Sequence, residues 1–409
     1  MGEYPALMKA FLSSVLAGLF MLLSPVIDAQ VFITNDMLPL EITESGLYVV
    51  AEPLNFTSAG DAILVTANQV TLDLNGFTLT GIREGAAITQ SLGHQGLVVR
   101  NGYLDSWGIN AAFGTAIMAE GANNEFSDLH IRSSRGGIFA GANSLVSDCY
   151  ITGITNNTSS YGLNMEGNSR VLGTLVDRVV APTSYGIVGA GNVLVERSIV
   201  HNIGIGGTTA QAYGIALNSG RVKDSIVSQV FGGDSAYGVF SLSDLKLSSS
   251  SITQISSADE GYGARAFAAL EIVHSVIGSI SAGPDGDSVN IANGARVSES
   301  VVRQSDNIGL RVGSRSRVEH SVLGRFTGDE PAILLTGHDS RIEGNLITES
   351  HAAVFALPSG TNNIVIRNAS FDNTFSFSTP ANHIANTLVS PGIDFNHATQ
   401  QYYYENIRW

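Results

Sequence analysis

An apolar residue recurs about every 25 positions along most of the chain, and a second apolar residue follows each one five positions later. The first series, which we call the anchors, is Leu72, Val99, Phe126, Val146, Val171, Val195, Val222, Leu247, Ile272, Val297, Val318, Ile342 and Ile366. The second series is Phe77, Leu104, Ile131, Ile151, Val176, Val200, Val227, Ile252, Ile277, Val302, Leu323, Ile347 and Phe371. A unit this short cannot bury a core alone, so it must stack on its neighbours. The pattern therefore predicts a solenoid.

Two further positions repeat together with the anchor. The third residue after it is small or Asn in Asn75, Cys149, Thr174, Ser198, Ser225, Ser250, Ser275, Ser300, Ser321 and Asn345. About eight residues before it, an apolar residue follows glycine, as in Gly137-Ile138, Gly162-Leu163, Gly186-Ile187, Gly214-Ile215, Gly238-Val239 and Gly309-Leu310. Small residues and Asn favour sharp bends, and helical periodicity is absent. Each unit is thus predicted to contain three short strands.

Three strands per repeat predict an all-β fold, a single-stranded right-handed parallel β-helix of about 12–13 coils stacked ~4.8 Å apart. We expect residues 30–60 to form an N-terminal cap, residues 61–374 the β-helix and residues 375–409 a C-terminal cap or tail. In that tail Tyr402, Tyr403, Tyr404 and Trp409 would cover the open end.

The stretch from Val70 to Gly81, preceded by Glu44-Ser45-Gly46-Leu47-Tyr48, resembles bacterial right-handed parallel β-helix repeat proteins of pectate-lyase-like architecture. The Gly-Ile and Ser-x-Val spacing and the short aromatic tail are similar as well. The resemblance implies the fold, which pectate lyases, polysaccharide epimerases, alginate lyases, phage tailspikes and adhesins share. None of their catalytic motifs matches this chain, so the resemblance transfers no site residue.

The N-terminus has the pattern of a secretory signal. Lys9 precedes an apolar stretch from Ala10 to Leu23, and the small residue Ala29 follows, so we expect residues 1–29 to be removed. An uncleaved membrane anchor is the alternative, because Glu3 makes the start less basic than usual. No later segment is long and apolar enough to span a bilayer, which predicts a mature chain that is secreted, periplasmic or at the cell surface.

The net charge limits the classes of molecule that the protein can bind, and the cysteine content limits its covalent cross-links. The formal net charge of −15 argues against nucleic acid and anionic membranes. The single cysteine, Cys149, excludes an internal disulfide, and its place in the small-residue series indicates a buried space-filler. A polysaccharide remains a possible partner, and the oligomeric state is left open.

In related β-helices a glycan groove runs along the first strand of each coil. The outward residues of that strand are predicted to be Met118, Phe139, Asn164, Val188, Ala216, Phe240, Arg265, Asn290 and Arg311. Arginine forks suit carboxylates or sulfates on a sugar chain. One coil beyond Arg311, His338 and Asp339 lie in the turn that stacks on Arg315. If the site is catalytic, Arg311 would neutralise a uronate carboxylate while His338 removes the adjacent proton.

The substrate-binding residues are predicted to be Arg265, Asn290, Arg315, Asp339, Tyr237 and Tyr262. The two tyrosines belong to a series that precedes glycine in five consecutive coils, namely Tyr161, Tyr185, Tyr213, Tyr237 and Tyr262. Such a series is expected to stack as a ladder, which either rigidifies the loops or forms a sugar-binding wall.

After the small-residue bend, two apolar residues stand side by side, as in Ile199-Val200, Ile226-Val227 and Val322-Leu323. Only one of each pair can face inward. The other either reflects the strand preference of β-branched residues or forms a covered or lateral-association face.

Metal binding has weak support. His274, Glu299 and His320 share one bend position in three consecutive coils, but the two histidines are predicted to lie ~10 Å apart. Asp285 with Asp287, and Asp259 with Glu260, offer possible Ca²⁺ ligands without the density of a dedicated site. We therefore expect no metal or other cofactor, with Ca²⁺ left as a possibility.

Two functions remain open at this stage. The first is an exported, non-catalytic β-helix that binds glycans or serves as a structural or surface protein. The alternative is a polysaccharide lyase or epimerase that acts on an acidic glycan.

Overall fold

The structure is a computed structural model that describes residues 30–82, 84–108, 115–205, 209–283, 285–291, 293–327, 329–358, 361–378, 383–385 and 388–389. The predicted fold is confirmed: the chain forms a right-handed parallel β-helix of about 13 turns. Every strand pairing in the described part is parallel, and each strand outside the terminal coils pairs with strands one coil before and after it. One 3-10 helix, Asn35–Met37, interrupts this pattern near the start.

The strands form three sheets that run the length of the helix. The first sheet contains Leu40–Ile42, Ile63–Val65, Ile88–Gln90, Ile117–Ala119, Ile138–Ala140, Ser159–Met165, Ser235–Ser241, Glu260–Ala266, Asp287–Ile291, Ile308–Val312, Pro331–Leu335, Ala352–Ala356 and Phe375–Ser378. The second contains Val31–Ile33, Gly46–Val50, Val70–Asp73, Leu145–Ser147, Arg170–Leu172, Leu245–Ser248, Leu270–Val273, Arg296–Ser298, Arg317–Glu319, Arg341–Glu343, Ile364–Ile366 and His383–Ala385. The third contains Leu54–Asn55, Thr78–Thr80, Tyr150–Thr155, Leu175–Val180, Ile199–Ile203, Ile226–Gly232, Ser251–Ser257, Val276–Ser281, Val301–Ser305, Val322–Phe326, Leu346–Thr348, Ala369–Phe371 and Leu388–Val389.

Four long strands turn a corner between sheets. Thr183–Glu196 and Gln211–Lys223 run from the first sheet into the second, and Val98–Asp105 and Glu125–Arg132 run from the second into the third. No helix in the described part of the chain is long and apolar enough to cross a membrane.

The anchors stack in the second sheet with their side chains buried, because alternate residues of a strand point to opposite faces. The last anchor prediction is wrong by one residue. Ile342 pairs with Val365, which is fully buried, and not with Ile366. The interior position five residues after Val365 is therefore Ser370, which is buried. Phe371, which the second series predicts at this place, is exposed.

The first repeat also departs from the predicted spacing. Leu79, and not Phe77, pairs with Leu104 in the third sheet. A turn at Asn75 and Gly76, both with positive φ, inserts residues between the two strands. Asn75 is therefore exposed and lies outside the small-residue series.

The small residues after the anchor form a buried hydrogen-bonded ladder between the second and third sheets. From Thr174 to Ser300, each backbone N–H donates to the hydroxyl of the equivalent residue one coil later, at 3.1–3.3 Å. That hydroxyl in turn donates to the carbonyl two residues before it, at 2.7–3.0 Å. Ser321 and Asn345 continue the ladder through Asn side chains. The ladder satisfies backbone donors at a corner where no strand partner is available.

Cys149 occupies the same series and is buried, and burial raises the pKa of its thiol to about 12. Its N–H donates to Thr174 Oγ1. The prediction that Cys149 is a small, buried member of this series is confirmed.

Residues at both ends follow the stacking pattern. Val31–Ile33 and Gly46–Val50 pair in parallel with each other, and the latter pairs with Val70–Asp73. Phe375–Ser378, His383–Ala385 and Leu388–Val389 add one strand to each sheet beyond residue 374. The predicted signal, residues 1–29, and the aromatic tail with Tyr402, Tyr403, Tyr404 and Trp409 lie outside the described residues.

Of the two apolar residues after the bend, the first faces outward and the second is buried, as strand parity predicts. Leu175, Ile199, Ile226, Val276, Val301, Val322 and Leu346 lie in one register on the outer face of the third sheet, interrupted by Ser251. Ile226 is 44% exposed. The stripe is one residue wide.

Substituting Ser250→Ala is expected to lower the free energy of unfolding by about 1–3 kcal/mol, because the buried N–H of Ser225 loses its acceptor. Chemical denaturation with circular dichroism measures the change. Ser251→Ala, one residue later on the outer face, is the matched control and should change stability by less than about 0.5 kcal/mol. Equal effects of the two substitutions would show that the ladder adds nothing.

Candidate functional site

The predicted outward column of the first sheet is present in full register. Met118 pairs with Phe139, Phe240 with Arg265, Arg265 with Asn290, and Asn290 with Arg311. Corresponding residues therefore follow one another at the strand spacing of ~4.8 Å. Arg265, Asn290 and Arg311 lie on one face of three consecutive coils, as the spacing predicts.

Four of the five predicted tyrosines form a continuous stack at the start of these strands. Ring centroids are 4.9 Å apart for Tyr185 and Tyr213, 4.8 Å for Tyr213 and Tyr237, and 5.4 Å for Tyr237 and Tyr262, with interplanar angles of 6–13°. Tyr161 is in register one coil earlier. Tyr237 and Tyr262 are buried, so the stack rigidifies this edge and exposes little ring surface.

The Arg265 side chain lies against aromatic rings at the end of the stack. Its guanidinium carbon is 4.5 Å from the ring centroid of Tyr262 and 5.0 Å from that of Phe267. Both are cation–π distances. Arg265 Nη1 donates to Glu260 Oε2 at 3.2 Å, and the Tyr237 hydroxyl donates to the same oxygen at 2.6 Å. Burial is the main cause that raises the pKa of Tyr237, and the hydrogen bond from Tyr237 to Glu260 raises it further. The Tyr237 hydroxyl therefore stays neutral and acts as a donor.

Phe240 and Phe267 extend the aromatic surface outward. The Phe240 ring meets Tyr237 edge-on at 5.2 Å and Phe267 at 5.7 Å. Phe267 is 53% exposed, whereas Arg265 is mostly covered. We call the set Tyr237, Phe240, Tyr262, Arg265 and Phe267 the aromatic patch.

One coil beyond Tyr262, the tyrosine position is occupied by Asp287, whose side chain is fully buried. Arg311 holds it with two hydrogen bonds, Nε to Oδ2 at 2.8 Å and Nη2 to Oδ1 at 3.2 Å. Asn290 Nδ2 donates to Oδ2 at 2.9 Å. Burial raises the pKa of Asp287, and the bonds from Arg311 and Asn290 oppose this rise. Arg311 and Asp287 thus form a bidentate ion pair, whose two charge-assisted hydrogen bonds are stronger than hydrogen bonds between neutral groups.

His338 and Asp339 form a separate pair in the turn after strand Pro331–Leu335. His338 Nδ1 lies 2.7 Å from Asp339 Oδ2, and this bond lowers the pKa of Asp339. The carbonyl of His338 accepts the N–H of Arg315 at 2.8 Å. Arg311 instead points to Asp287, which lies at the beginning of its strand. Among the contacts of the described residues, none joins Arg311 to His338.

Four of the residues considered for metal binding, His274, Glu299, Glu260 and Asp287, are engaged with other partners. His274 Nε2 lies 2.6 Å from Glu299 Oε2, and both side chains are exposed. Glu260 and Asp287 are bound by the arginines described above. No group of three or more His, Cys, Asp or Glu side chains placed to hold a metal occurs in the part of the chain that the structure describes.

The sequence reasoning missed Phe267 and the roles of Glu260 and Asp287. Phe267 lies two residues after Arg265, beyond the end of the strand, where strand parity gives no direction. A signal for Asp287 was available, because it takes the next place in the tyrosine series once the strands are aligned.

Comparison with known proteins gives a likeness of architecture. No family model matches the chain, and no curated protein matches it significantly. Among solved structures, the A-module of Azotobacter vinelandii mannuronan C-5 epimerase AlgE6 aligns over 85% of this chain and 91% of its own, with 13% identity and a TM-score of 0.37. The Dettilon tailspike protein aligns over 80% and 62%, with 10% identity and a TM-score of 0.45. The catalytic unit of a GH87 α-1,3-glucanase from Streptomyces thermodiastaticus aligns over 85% and 64%, with 11% identity and a TM-score of 0.42.

Substituting Arg311→Ala is expected to destabilise the fold by on the order of 3 kcal/mol at neutral pH, because it leaves the Asp287 carboxylate buried without its cation. Arg311 is 35% exposed, which keeps the loss below that of a fully buried pair. Without Arg311 the pKa of Asp287 rises further above its unfolded value. The variant therefore keeps its stability below the pKa that Asp287 has in the unfolded chain. It loses stability as the pH rises through the higher pKa that Asp287 has in the folded variant. The deficit relative to the unmodified protein should therefore shrink towards acidic pH in thermal unfolding.

The matched control is Arg325→Ala, which removes an exposed ion pair with Glu349 (3.4 Å) and should cost less than about 1 kcal/mol. A deficit for Arg311→Ala that is as small as that of the control, or that does not change with pH, would contradict the role given to the pair.

Proposed function

We propose that the protein is an exported, non-catalytic glycan-binding β-helix, and that the aromatic patch on the first sheet is its binding surface. The observation that supports this most is the position of Arg265 between Tyr262 and Phe267, with Phe267 half-exposed at the outer edge. The patch is held in place before any ligand arrives, which lowers the entropic cost of binding.

A sugar ring offers an apolar C–H face and a rim of hydroxyls. The exposed ring of Phe267 supplies an apolar surface for the first, and Arg265 and Glu260 supply a donor and an acceptor for the second. Ligand sites commonly combine an aromatic surface with a few placed polar groups. The repeating strands extend this surface along the helix axis, which suits a linear polymer.

The pairing of the polar groups favours binding over catalysis. The guanidinium of Arg311 is committed to Asp287, so a uronate carboxylate would have to displace a buried ion pair. His338 lies past the opposite end of the neighbouring strand and is paired with Asp339. The lyase or epimerase alternative needs both residues at one substrate, and no contact among the described residues brings them together.

The proposal includes no metal or other cofactor. The carboxylates nearest the patch, Glu260 and Asp287, both bind arginines, and a cation would have to compete for them. Binding should therefore persist in the presence of a chelator.

Substituting Phe267→Ala is expected to weaken binding by about tenfold or more, because a few large aromatic side chains carry most of the binding energy of a site and Phe267 is the most exposed ring of the patch. Affinity is measured on an immobilised panel of neutral polysaccharides, with and without a chelator. Phe371→Ala, an exposed phenylalanine of the third sheet, is the matched control and should bind as the unmodified protein does.

The proposal fails if the protein binds none of the panel, or if the two phenylalanine variants bind equally. In a separate assay, uronate-containing polysaccharides are incubated with the protein and monitored for the ultraviolet absorbance of unsaturated chain ends. Growth of that absorbance would favour the lyase alternative over the proposed non-catalytic role.

Export is part of the proposal and rests on the apolar stretch from Ala10 to Leu23 and the small residue Ala29. Expression of the full chain in a secreting bacterial host should yield a mature protein that begins at Gln30, as measured by intact mass. A protein retained at its full mass in the membrane fraction would support the uncleaved anchor instead.

A further inference from the structure

A groove runs along the second sheet, on a different face from the aromatic patch. Its volume is about 510 Å³, and one wall consists of charged residues from successive coils: Arg221, Lys246, Glu271 and Arg296. Small residues, among them Ser219, Gly220, Ala269 and Gly294, line it as well. The exposed acid Asp244 also lines it, so the groove holds three cations and two acids. We call this feature the basic groove.

The charged wall is periodic. Arg221 pairs in register with Lys246, Lys246 with Glu271, and Glu271 with Arg296. The groove is thus parallel to the helix axis, and Arg221 and Arg296, three coils apart, are separated by ~14 Å at the strand spacing. Beyond the groove the same column continues with Arg317 and Arg341. Five of its six positions from Arg221 to Arg341 are cations, in a chain whose net charge is −15.

The small residues leave space beside the cations. Gly294 has a φ of 69°, and a Cβ atom built on it would meet nothing within 4 Å. At Gly220, by contrast, a Cβ atom would lie 2.2 Å from the carbonyl oxygen of Val193, so a larger residue does not fit. Gly220 is therefore required by the close stacking of its coil on the one before, and the space beside Gly294 is open.

The cations of the groove are accessible. Lys246 Nζ lies 2.9 Å from Glu271 Oε2, and Arg296 Nη2 lies 2.6 Å from Glu319 Oε1, but both cations are about half-exposed. Exposed ion pairs contribute little energy and exchange readily for another anion. Arg221 is exposed and makes no ion pair with any residue that the structure describes.

We propose that the basic groove binds an extended acidic polysaccharide, whose carboxylate or sulfate groups repeat along the chain as the cations repeat along the helix. Anions spaced along a linear polymer can meet Arg221, Lys246 and Arg296 in turn, with Lys246 released from Glu271. Nucleic acid fits less well. None of the residues lining the groove is aromatic, so bases have no surface on which to stack.

The experiment measures the affinity of the full protein for an oligogalacturonate, for a heparin fragment and for single-stranded DNA of equal charge, each at two salt concentrations. The first two probes separate carboxylate from sulfate recognition. Arg221→Glu should weaken binding of at least one acidic oligosaccharide by roughly fivefold or more at low salt, and less at high salt. Glu271→Gln should strengthen binding, because it removes a repulsive charge and releases Lys246.

Arg303→Glu is the matched control, since Arg303 is exposed on the third sheet and the substitution changes net charge equally. It should bind as the unmodified protein does, as should Phe267→Ala, which separates this proposal from the aromatic patch. If Arg221→Glu and Arg303→Glu weakened binding of the acidic oligosaccharides equally, the effect would depend on net charge alone and the proposal would be overturned. An absence of binding would overturn it as well, as would DNA binding of equal strength and equal dependence on Arg221. Matching unfolding curves verify that each variant is folded.

Discussion

The structure depends on one constraint, the in-register parallel pairing of each coil with the next. Backbone hydrogen bonds hold equivalent positions at the strand spacing, so every side chain lies directly above its counterpart in the coil before. Buried anchors consequently form one continuous core, and bend residues form one continuous ladder. A feature that is weak in a single coil becomes a surface or a column when it is repeated.

The same constraint explains which polar groups the protein tolerates inside. The corner between the second and third sheets has N–H groups that no strand can satisfy, and the Thr, Ser and Asn ladder accepts them coil after coil. Where the tyrosine column ends, Asp287 is buried, and the arginine one coil further satisfies it. In both arrangements the decisive partner, the hydroxyl that accepts the N–H or the arginine that neutralises Asp287, comes from a neighbouring coil of the stack.

On the surface, stacking sets the spacing of charges and rings. Like charges in adjacent coils repel each other. In the second sheet this repulsion is reduced by acids, with Glu271 between two cations of the column and Glu319 beside Arg296. Tyrosines, which attract one another, occur in uninterrupted sequence from Tyr185 to Tyr262. The aromatic patch and the basic groove thus arise from the same geometry on two different faces.

Periodicity in the sequence determined the coil, the buried anchors, the outward column from Met118 to Arg311 and the tyrosine ladder, because a β-helix converts sequence distance directly into stacking. It misplaced Ile366, where the last repeat deviates by one residue and strand parity reverses. It also misplaced Phe77 and Asn75, where a turn inserts residues into the first repeat. It also grouped Arg311 with His338. Only the tertiary structure decided that Arg311 turns towards Asp287 and that Phe267 turns towards Arg265. Those choices depend on side-chain conformation and burial, which a one-dimensional repeat does not contain.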